Sequence, residues 1–482
     1  MKILIVDTFY GPYLEQLYAS HELIQQPWAV QHKAHFAGGF GTGDAYSHGL
    51  GLLGVEAIEI VANSIPLQRA WAQGYRPDLL QLNDPGQQLF AILEAQIRWF
   101  EPSVLYVQDI NWLPAGFLQH VKAFVEMVVG QNACPLASDL DLSPYDLLLT
   151  SLPDYVGRFR SMGVKAAYFP IGFDERLLQR HRVDGSRPNP LTFVGGLGGY
   201  HTKGTQMLEA IAKELPLQVW GYGGQHLPSD SMLRQRWKGE AWAEDMYKLL
   251  ASSQITINRH IDMAGSYACN MRLYEATGMG ACLVTEHKAN IADLFDSDRE
   301  IITFSSSDEA VVKIKELVGN PRLAKEIAHN GQLRTLKEHT YSSRMRNLLD
   351  ILCKHSRLKD PSIDFENRLL VSSKIHIPVF ASANMFPLVK VWADHVRCRL
   401  GRENVSFYFL VDQKIDALGE KVWMPLSPHA TIPSLVESFF NCIVVSGFAL
   451  VCGLRSQAFN PMQQSFYDQA LNNDLLVKSL KC

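Results

Sequence analysis

Short apolar runs and amphipathic segments alternate along most of this 482-residue chain, and no other feature constrains its fold so strongly. The apolar runs have the length of strands, and the segments between them carry apolar residues at helical spacing, as in residues 87–100. Alternation of this kind predicts an α/β fold with a doubly wound parallel sheet. In the first part of the chain the predicted strands are residues 2–7, 55–61, 104–107, 147–150 and 166–169.

A polar stretch, residues 180–190, interrupts this pattern, and its charge, Gly and Pro content indicates a linker. Because a chain of this length needs more than one core, we predict two Rossmann-like domains, residues 1–175 and 188–357, that face each other across a cleft. A helix near residues 341–353 should return toward the first domain. Beyond the linker the predicted strands are residues 191–194, 217–220, 255–258, 281–284 and 301–304.

The sequence changes in character after about residue 360. Two strands, residues 375–380 and 405–410, are predicted around a helix at residues 388–399, and the segment contains no motif that indicates chemistry. We therefore expect residues 365–482 to form an accessory or incomplete C-terminal α/β module of unknown role.

Composition excludes several classes of protein. The formal net charge is -4, which argues against nucleic acid as the main partner. The first residues, MKILIVDTFY, indicate a strand and not a signal peptide, and the apolar stretch 442–454 is too short to span a bilayer, so a cytoplasmic protein is expected. None of the eight cysteines forms a C-x-x-C pair, which leaves a zinc or redox site unsupported.

The first of three glycine-containing loops in the second domain reads VGGLGGYHTKG, residues 194–204. Glycines such as Gly195 and Gly196 let a backbone approach a phosphate, and the start of the following helix offers free N–H groups. Lys203 lies at that helix start, where the helix dipole disfavours a cation unless an anion is bound. His201 belongs to the same loop. The alternative is a solvated lysine on a flexible loop.

The glycine loops named here lack two common nucleotide-binding motifs. The third glycine position of G-x-G-x-x-G is His201 after Gly196 and Gly198, Asp44 after Gly39 and Gly41, and Tyr46 after Gly41 and Gly43, and no G-x-x-x-x-G-K-[ST] occurs. These absences disfavour a nicotinamide oxidoreductase and a P-loop NTPase. The second loop, WGYGG, contains Tyr222 and on its own indicates only a tight turn.

The third loop region reads NMRLYEATGMGACLVT, residues 270–285, with Arg259 a short distance upstream. Asn270 is a good candidate for a helix N-cap. We expect Arg272 near the helix start and Glu275 near its end, and both charges would then oppose the helix dipole. A ligand could compensate them, with a phosphate at Arg272 and vicinal hydroxyl groups at Glu275. The alternative is an ordinary i,i+3 ion pair between the two side chains.

These segments resemble the donor half of GT-B glycosyltransferases, and more narrowly the CgeB-like (spore maturation protein-like) glycosyltransferases. The similarity rests on FVGGLGGYHTKG, NMRLYEATGMGACLVT, IADLF, REIITF and GQLRTLKEHTYSSR, with weaker likeness in FGTGDAYSHGLGLLGVEA and LLTSLPDYVGRFRSMGV. It covers about residues 1–350. The resemblance implies a GT-B fold and a nucleoside diphosphate sugar as the donor substrate.

The resemblance also implies roles for individual residues. Glu275 matches the glutamate that holds the nucleotide ribose, but the place of a second glutamate is taken by Tyr267. Gly196 stands where such enzymes often carry an arginine for the diphosphate, and Lys203 matches its lysine partner. Arg272 or Arg259 could supply the missing charge. The expected donor-site residues are Gly195, Gly196, His201, Lys203, Tyr222, Arg259, Asn270, Arg272 and Glu275.

Catalytic or acceptor-binding groups are expected in the loops of the first domain. The glycine-rich loop AGGFGTGDAYSH contains Asp44 and His48, and Asp109 follows a predicted strand. We predict a metal-independent glycosyltransferase with no cofactor, an unidentified acceptor and no transmembrane segment. The D-L-D sequence at Asp139 and Asp141 lies outside the donor half, so it is not assigned to a metal. Two alternatives remain, a nucleotide-sugar epimerase-like enzyme on the same fold and a non-catalytic binding or coat-assembly protein.

Overall fold

The structure is a computed structural model. It describes residues 1–132, 135–181, 186–199 and 201–356, and the backbone of five further strands. The chain divides into two compact units, Met1–Pro361 and Ser362–Cys482. The first unit contains two separate parallel sheets with helices packed on them.

The first sheet has six parallel strands in the order β2-β1-β3-β4-β5-β6. The inner strand β3 is apolar throughout and fully buried, and Ile3 to Val6 of its neighbour β1 are equally buried, as expected when helices cover both faces of a parallel sheet. Another inner strand, β4, was not predicted from the sequence. The strands are β1 (Lys2–Asp7), β2 (Glu56–Val61), β3 (Val104–Val107), β4 (Met127–Asn132), β5 (Leu147–Thr150) and β6 (Ala166–Tyr168).

Eight helices precede the second sheet in the part of the chain that the structure describes. In the longest of them, the Asp84 carboxylate accepts a hydrogen bond from the Gln87 N–H, and Pro85 occupies the first turn. These helices are α1 (Gly11–Leu17), α2 (Trp28–Ala37), α3 (Ala45–Gly51), α4 (Ile65–Tyr75), α5 (Pro85–Phe100), α6 (Ala115–Val121), α7 (Pro153–Ser161) and α8 (Leu177–Arg180), with short 3-10 turns at Leu23–Gln25, Pro77–Gln81 and Lys122–Phe124.

The second sheet has five parallel strands in the order β11-β10-β9-β7-β8. The strands are β7 (Asn189–Val194), β8 (Gln218–Trp220), β9 (Ser253–Asn258), β10 (Cys282–Glu286) and β11 (Ile302–Phe304). The helices are α9 (Thr202–Glu214), α10 (Met232–Arg236), α11 (Ala243–Ala251), α12 (Arg272–Gly278), α13 (Ile291–Leu294), α14 (Ser307–Gly319) and α15 (Pro321–Glu338), with 3-10 turns at Gly224–His226 and Asp262–Ala264.

The helix α16 (Tyr341–His355) leaves the second sheet and packs on the first. Its residues Met345 and Leu348 are fully buried in a core that includes Ile3 and Ile5 of β1. At the crossing, the Phe173 N–H donates to the His339 carbonyl at 2.8 Å, and the Tyr341 N–H donates to the Phe173 carbonyl at 2.9 Å. The predicted return of this helix to the first half is confirmed.

The expected fold class is therefore confirmed in its main feature, two Rossmann-like parallel sheets. The chain passes between them twice, once after β6 and once between α15 and α16. In both sheets the carboxyl ends of the strands carry the loops in which the candidate site residues lie. None of the helices in the described ranges is long and apolar enough to cross a membrane.

The second unit contains a third sheet in the order β14-β13-β12-β15-β16. Strands β12, β13 and β14 are parallel, whereas β15 is antiparallel to both β12 and β16. Both strands predicted in this segment are confirmed, and the helix predicted at residues 388–399 lies outside the described residues. The strands are β12 (Ile375–Ala381), β13 (Val405–Val411), β14 (Lys421–Val422), β15 (Cys442–Val445) and β16 (Phe448–Val451).

Candidate functional site

The loop after β7 packs directly against the loop after β8. A Cβ atom at Gly221 would lie 1.8 Å from the Gly195 carbonyl oxygen, so the two backbones meet without room for a side chain. A Cβ atom at Gly196 would lie 2.5 Å from the Tyr222 hydroxyl group and 2.6 Å from the His201 ring. The His201 Nε2 atom and that hydroxyl are hydrogen-bonded at 2.9 Å. The position where the resemblance would place an arginine is thus occupied by a histidine–tyrosine pair.

The start of α9 lies at the end of this loop. Lys203 is exposed in the first turn of α9, and its backbone N–H donates to Asp262 at 3.3 Å. None of the described acids forms a salt bridge with the Lys203 ammonium group, although it is near enough to Asp262 to help lower the pKa of that carboxyl. Lys203 therefore remains able to interact with an anion at the helix start.

Arg259 packs against the start of α9. Its side chain is only 5% exposed, and a Cβ atom at Gly204 would lie 1.6 Å from its Nε atom. The guanidinium group forms a 3.1 Å salt bridge with Asp262 and donates to the His201 carbonyl at 3.3 Å. Its Nε atom has no hydrogen-bond partner among the described residues and lies 3.8 Å from Glu286.

The two acids near Arg259, Asp262 and Glu286, were not identified as site residues from the sequence. Burial raises the pKa of Asp262, but hydrogen bonds from Arg259 and from the Lys203 N–H outweigh it, so the pKa lies below its usual value. Asp262 therefore remains ionised at neutral pH and compensates the charge of the buried guanidinium group. The spacing of three residues between Arg259 and Asp262 was the only sequence signal for this pair.

The local structure around Asn270 corrects the predicted helix cap. Met271 precedes α12 and no side chain caps the helix. The Asn270 side-chain amide instead donates to Asn258 at 2.7 Å and to the Arg259 carbonyl at 2.9 Å. Asn270 thus links the loop before α12 to the end of β9. Its side chain is engaged by residues of β9 and the loop after it, and it does not accept from the helix N–H groups.

The position of Glu275 in α12 also differs from the expectation. It lies in the first turn of this seven-residue helix and not near its end, so the helix dipole does not oppose its charge. Only Arg272, the first residue of α12, lies where the dipole is unfavourable. The prediction that both charges oppose the dipole was wrong for Glu275, because the helix continues to Gly278.

Arg272 and Glu275 form a buried ion pair at the end of β7. An Arg272 Nη1 atom lies 2.7 Å from a Glu275 oxygen, and the side chains are 14% and 7% exposed. The Arg272 Nε–H donates to the Val194 carbonyl at 3.1 Å, which places the guanidinium group directly beside the glycine loop. Burial raises the pKa of Tyr247 well above its usual value, so its hydroxyl stays protonated and donates to Glu275 at 3.2 Å.

The ion pair that the sequence left as an alternative is therefore present. Its surroundings differ from those of an ordinary surface pair, because both charges are largely removed from water. A carboxylate has about four lone-pair sites, so Glu275 retains the capacity to accept further hydrogen bonds.

In the first half, Asp109 follows β3 at the carboxyl edge of the sheet. One of its oxygens accepts from the Thr8 hydroxyl at 3.3 Å and the other from the Asn111 N–H at 3.0 Å. Asp7, which ends the neighbouring strand β1, was not identified from the sequence. Its signal was the same as that of Asp109, namely an acid at the carboxyl end of an apolar strand.

Asp44 forms a salt bridge that links two parts of the chain. Its carboxylate lies 2.7 Å from an Arg176 Nη2 atom, which also lies 2.7 Å from Asp174. These contacts join the glycine-rich loop to the segment that follows β6. His48, the other candidate in that loop, is exposed on α3.

Aromatic side chains connect the loops of the two halves within the first unit. The Tyr10 ring follows β1 and lies 6.4 Å from the Tyr222 ring and 5.8 Å from the Trp242 ring. Tyr222 and Trp242 are stacked at 5.8 Å, and Phe40 of the glycine-rich loop lies 5.9 Å from Trp242. The loops at the carboxyl edge of the first sheet therefore meet the glycine loops of the second.

One protein-family model matches the chain, and it covers residues 203–350 with the description "Glycosyl transferase-like". This segment begins at the start of α9 and includes α12, so it contains Lys203, Arg259, Arg272 and Glu275. The second half of the first unit is thus glycosyltransferase-like in sequence. No curated protein matches the chain.

Several solved structures are similar to this chain at low sequence identity. A sucrose-phosphate synthase (tll1590) from Thermosynechococcus elongatus is 12% identical over 73% of this chain and 98% of its own, with a TM-score of 0.45. AviGT4, a glycosyltransferase involved in avilamycin A biosynthesis, is 14% identical over 73% and 96%, with a TM-score of 0.45. Anabaena Alr3699/HepE in complex with UDP and glucose is 13% identical over 73% and 100%, with a TM-score of 0.44.

Proposed function

We propose that this protein is a glycosyltransferase that moves a sugar from a nucleoside diphosphate sugar to an acceptor hydroxyl group. The observation that carries the proposal is the arrangement at the ends of β7 and β9. There the exposed Lys203, the start of α9 and the Arg272 guanidinium group lie around a glycine loop, and both charged residues belong to the glycosyltransferase-like segment. The narrower similarity to CgeB-like enzymes remains a prediction.

The diphosphate would lie at the start of α9. Helix N–H groups and glycine backbones bind phosphate oxygens well, and Lys203 adds a full positive charge beside them. Arg272 is held beside the loop by its hydrogen bond to the Val194 carbonyl. As the sugar leaves, negative charge builds up on the diphosphate, and fixed cations stabilise it most in the transition state. We propose that these groups do this without a metal ion.

The ribose would lie deeper, at Glu275. The carboxylate is held by Arg272 and Tyr247, which fix its orientation and leave further lone pairs for two vicinal hydroxyl groups. Two hydrogen bonds to a charged acceptor are worth about 1.5–3 kcal/mol each. Glu275 would therefore contribute to affinity for the nucleoside, whereas Lys203 would contribute only when the phosphates are present.

This difference can be measured by calorimetry with UDP, GDP, TDP and CMP and with the corresponding nucleosides. We expect one nucleoside diphosphate to bind. Lys203→Ala should weaken it by roughly 10-fold or more while the bare nucleoside is unaffected, and Glu275→Gln should weaken both by roughly 10- to 100-fold. Lys213→Ala is the matched control, because it removes the same charge from the other end of α9.

The outcomes separate this proposal from its alternatives. If no nucleotide binds, the alternative of a non-catalytic binding or coat-assembly protein is favoured and the proposal fails. If a nucleotide binds and Lys213→Ala weakens it as much as Lys203→Ala, the diphosphate does not lie at the start of α9. Product analysis with nucleotide sugars then distinguishes transfer from an epimerase-like reaction, in which an altered sugar stays on the nucleotide.

A further inference from the structure

Two carboxyl groups lie side by side at the carboxyl edge of the first sheet. Strands β1 and β3 are neighbours and pair Val6 with Val107, so Asp7 and Asp109 leave the sheet at adjacent points. Thr8 connects them, since its N–H donates to Asp7 at 2.7 Å and its hydroxyl group donates to Asp109 at 3.3 Å. Their closeness follows from the register of the two strands and from the shared contacts with Thr8.

This pair is on the side of the first half that meets the donor loops. Three residues after Asp7, Tyr10 contacts the rings of Tyr222 and Trp242. Tyr222 is in turn hydrogen-bonded to His201 and packs on Gly196. An acceptor held at the edge of the first sheet would therefore approach a donor sugar from the side where the two carboxyl groups lie.

The surroundings of Asp7 favour a carboxyl group that can gain and lose a proton near neutral pH. Asp7 is only 9% exposed. Burial raises its pKa to about 7, the Thr8 N–H opposes this change, and the charge of Asp109 adds to it. The other titratable groups that face it are Tyr106 of β3 and Tyr46 of α3, whose pKa values burial raises, so both stay neutral. A general base works best when its pKa is near the working pH.

We propose that Asp7 is the base that accepts the proton of the acceptor hydroxyl group, with Asp109 as a positioning residue. This proposal rests on the proposed transferase function and deepens it. The acceptor oxygen forms a bond to the anomeric carbon of the donor sugar as its O–H proton passes to the Asp7 carboxylate. The bond from that carbon to the diphosphate oxygen breaks, and the nucleoside diphosphate leaves with the electron pair.

Other acids in the first half are less suited to this step. The Asp44 carboxylate forms a 2.7 Å salt bridge with Arg176, so it is already engaged in joining two parts of the chain. Glu59 is almost fully buried on β2 and accepts from the Ser47 N–H at 2.7 Å, so it supports the first turn of α3. Burial raises the pKa of Glu59 to about 8, and this group provides a useful comparison.

The first test needs no substrate. In the full-length protein with ¹³C-labelled carboxyl groups, NMR titration should find an aspartate that titrates near pH 7 and disappears in Asp7→Asn. Glu59→Gln should remove a different, glutamate signal. If the Asp7 carboxyl titrates in the ordinary range near pH 4, the proposal is overturned whatever the protein catalyses.

The second test uses water in place of the unidentified acceptor. Release of nucleoside diphosphate from UDP-glucose, GDP-glucose and TDP-glucose is measured from pH 5 to 9, together with nucleotide affinity. Asp7→Asn should lower the rate about 100-fold or more and remove the rise around pH 7, while nucleotide affinity stays the same. Asp109→Asn should shift that rise to lower pH, because a nearby negative charge is lost. Asp141→Asn is the control, since it removes an exposed acid of the same half.

The results distinguish failure of this inference from failure of the proposed function. If Asp7→Asn keeps the parent rate and pH profile, the proton goes elsewhere, for example to the leaving diphosphate, and the inference is wrong although the protein is a transferase. If the parent binds no nucleotide, the proposed function fails, and the NMR titration still decides whether Asp7 has the properties of a base.

Discussion

The close contact between Gly204 and Arg259 allows the start of α9 to be disturbed without touching a charged residue. A Cβ atom at position 204 would lie 1.6, 1.7 and 1.8 Å from the Nε, Cζ and Nη1 atoms of Arg259. Atoms cannot approach so closely, so in Gly204→Ala the guanidinium group must move. It would then lose its contacts with Asp262 and with the His201 carbonyl, and leave two partly buried acids, Asp262 and Glu286, without their cation.

The size of the effect follows from these contacts. A hydrogen bond to a charged group contributes about 1.5–3 kcal/mol, while Gly→Ala inside a helix by itself stabilises by about 0.5–1 kcal/mol. We therefore expect Gly204→Ala to lower the free energy of unfolding by roughly 2–4 kcal/mol. Nucleoside diphosphate affinity should fall roughly 10- to 100-fold, because the start of α9 loses its support.

Urea denaturation and calorimetry would test this prediction. Gly157→Ala is the matched control, since Gly157 is also in a helix and nothing lies within 4 Å of its added Cβ atom. The double variant Gly204→Ala/Arg259→Ala should be no less stable than Arg259→Ala alone, because the clash is then removed. Equal stability and nucleotide affinity of Gly204→Ala and the parent would refute the role assigned to Arg259.

Three further predictions concern other parts of the chain. Burial raises the pKa values of Asp7 to about 7 and of Glu59 to about 8, so the folded state binds these protons more tightly than the unfolded state. As far as these two groups decide it, stability should be highest below about pH 4, where both states are protonated, and should fall by several kcal/mol (about 1.4 per pKa unit) toward pH 9. Urea denaturation at several pH values would show this fall, which should be smaller in Glu59→Gln. Arg176→Ala should lower the free energy of unfolding by about 1–3 kcal/mol, because Asp44 and Asp174 lose their shared cation, and Arg158→Ala on exposed α7 should have little effect in the same assay. Removal of residues 362–482 should leave nucleotide affinity unchanged in calorimetry, since every proposed donor-site residue is in the first unit; a folded, truncated protein that no longer binds nucleotide would contradict this placement.

Periodicity was sufficient to predict most of the two sheets, because buried parallel strands are nearly continuous apolar runs. Strand β4 was missed since its sequence, MVVGQN, contains Gly130 and ends in two amides. Gly130 is needed there because a Cβ atom would lie 2.6 Å from Ile110 and 2.7 Å from Tyr145. Tertiary packing decides that this segment forms strand β4, and the local sequence pattern does not show that packing.

The site could be predicted only as a set of loops. Lys203 and Arg272 were placed correctly at helix starts, because the glycine loops mark where strands end. The partners of the charged residues could not be predicted, since Asp262, Glu286 and Tyr247 reach the site through contacts between different loops and strands. Helix boundaries decide which end of the dipole a side chain faces, and an error of two or three residues reversed the expectation for Glu275.

The most direct test of the account is a crystal structure of the protein soaked with the nucleoside diphosphate that binds in solution. We expect the diphosphate to lie at the start of α9, with Lys203 and Arg272 beside its oxygens. We also expect the ribose hydroxyl groups to lie within hydrogen-bond distance of Glu275. A nucleotide bound anywhere else, or bound at this loop with its ribose away from Glu275 and the Arg272–Glu275 pair unchanged, would contradict the account.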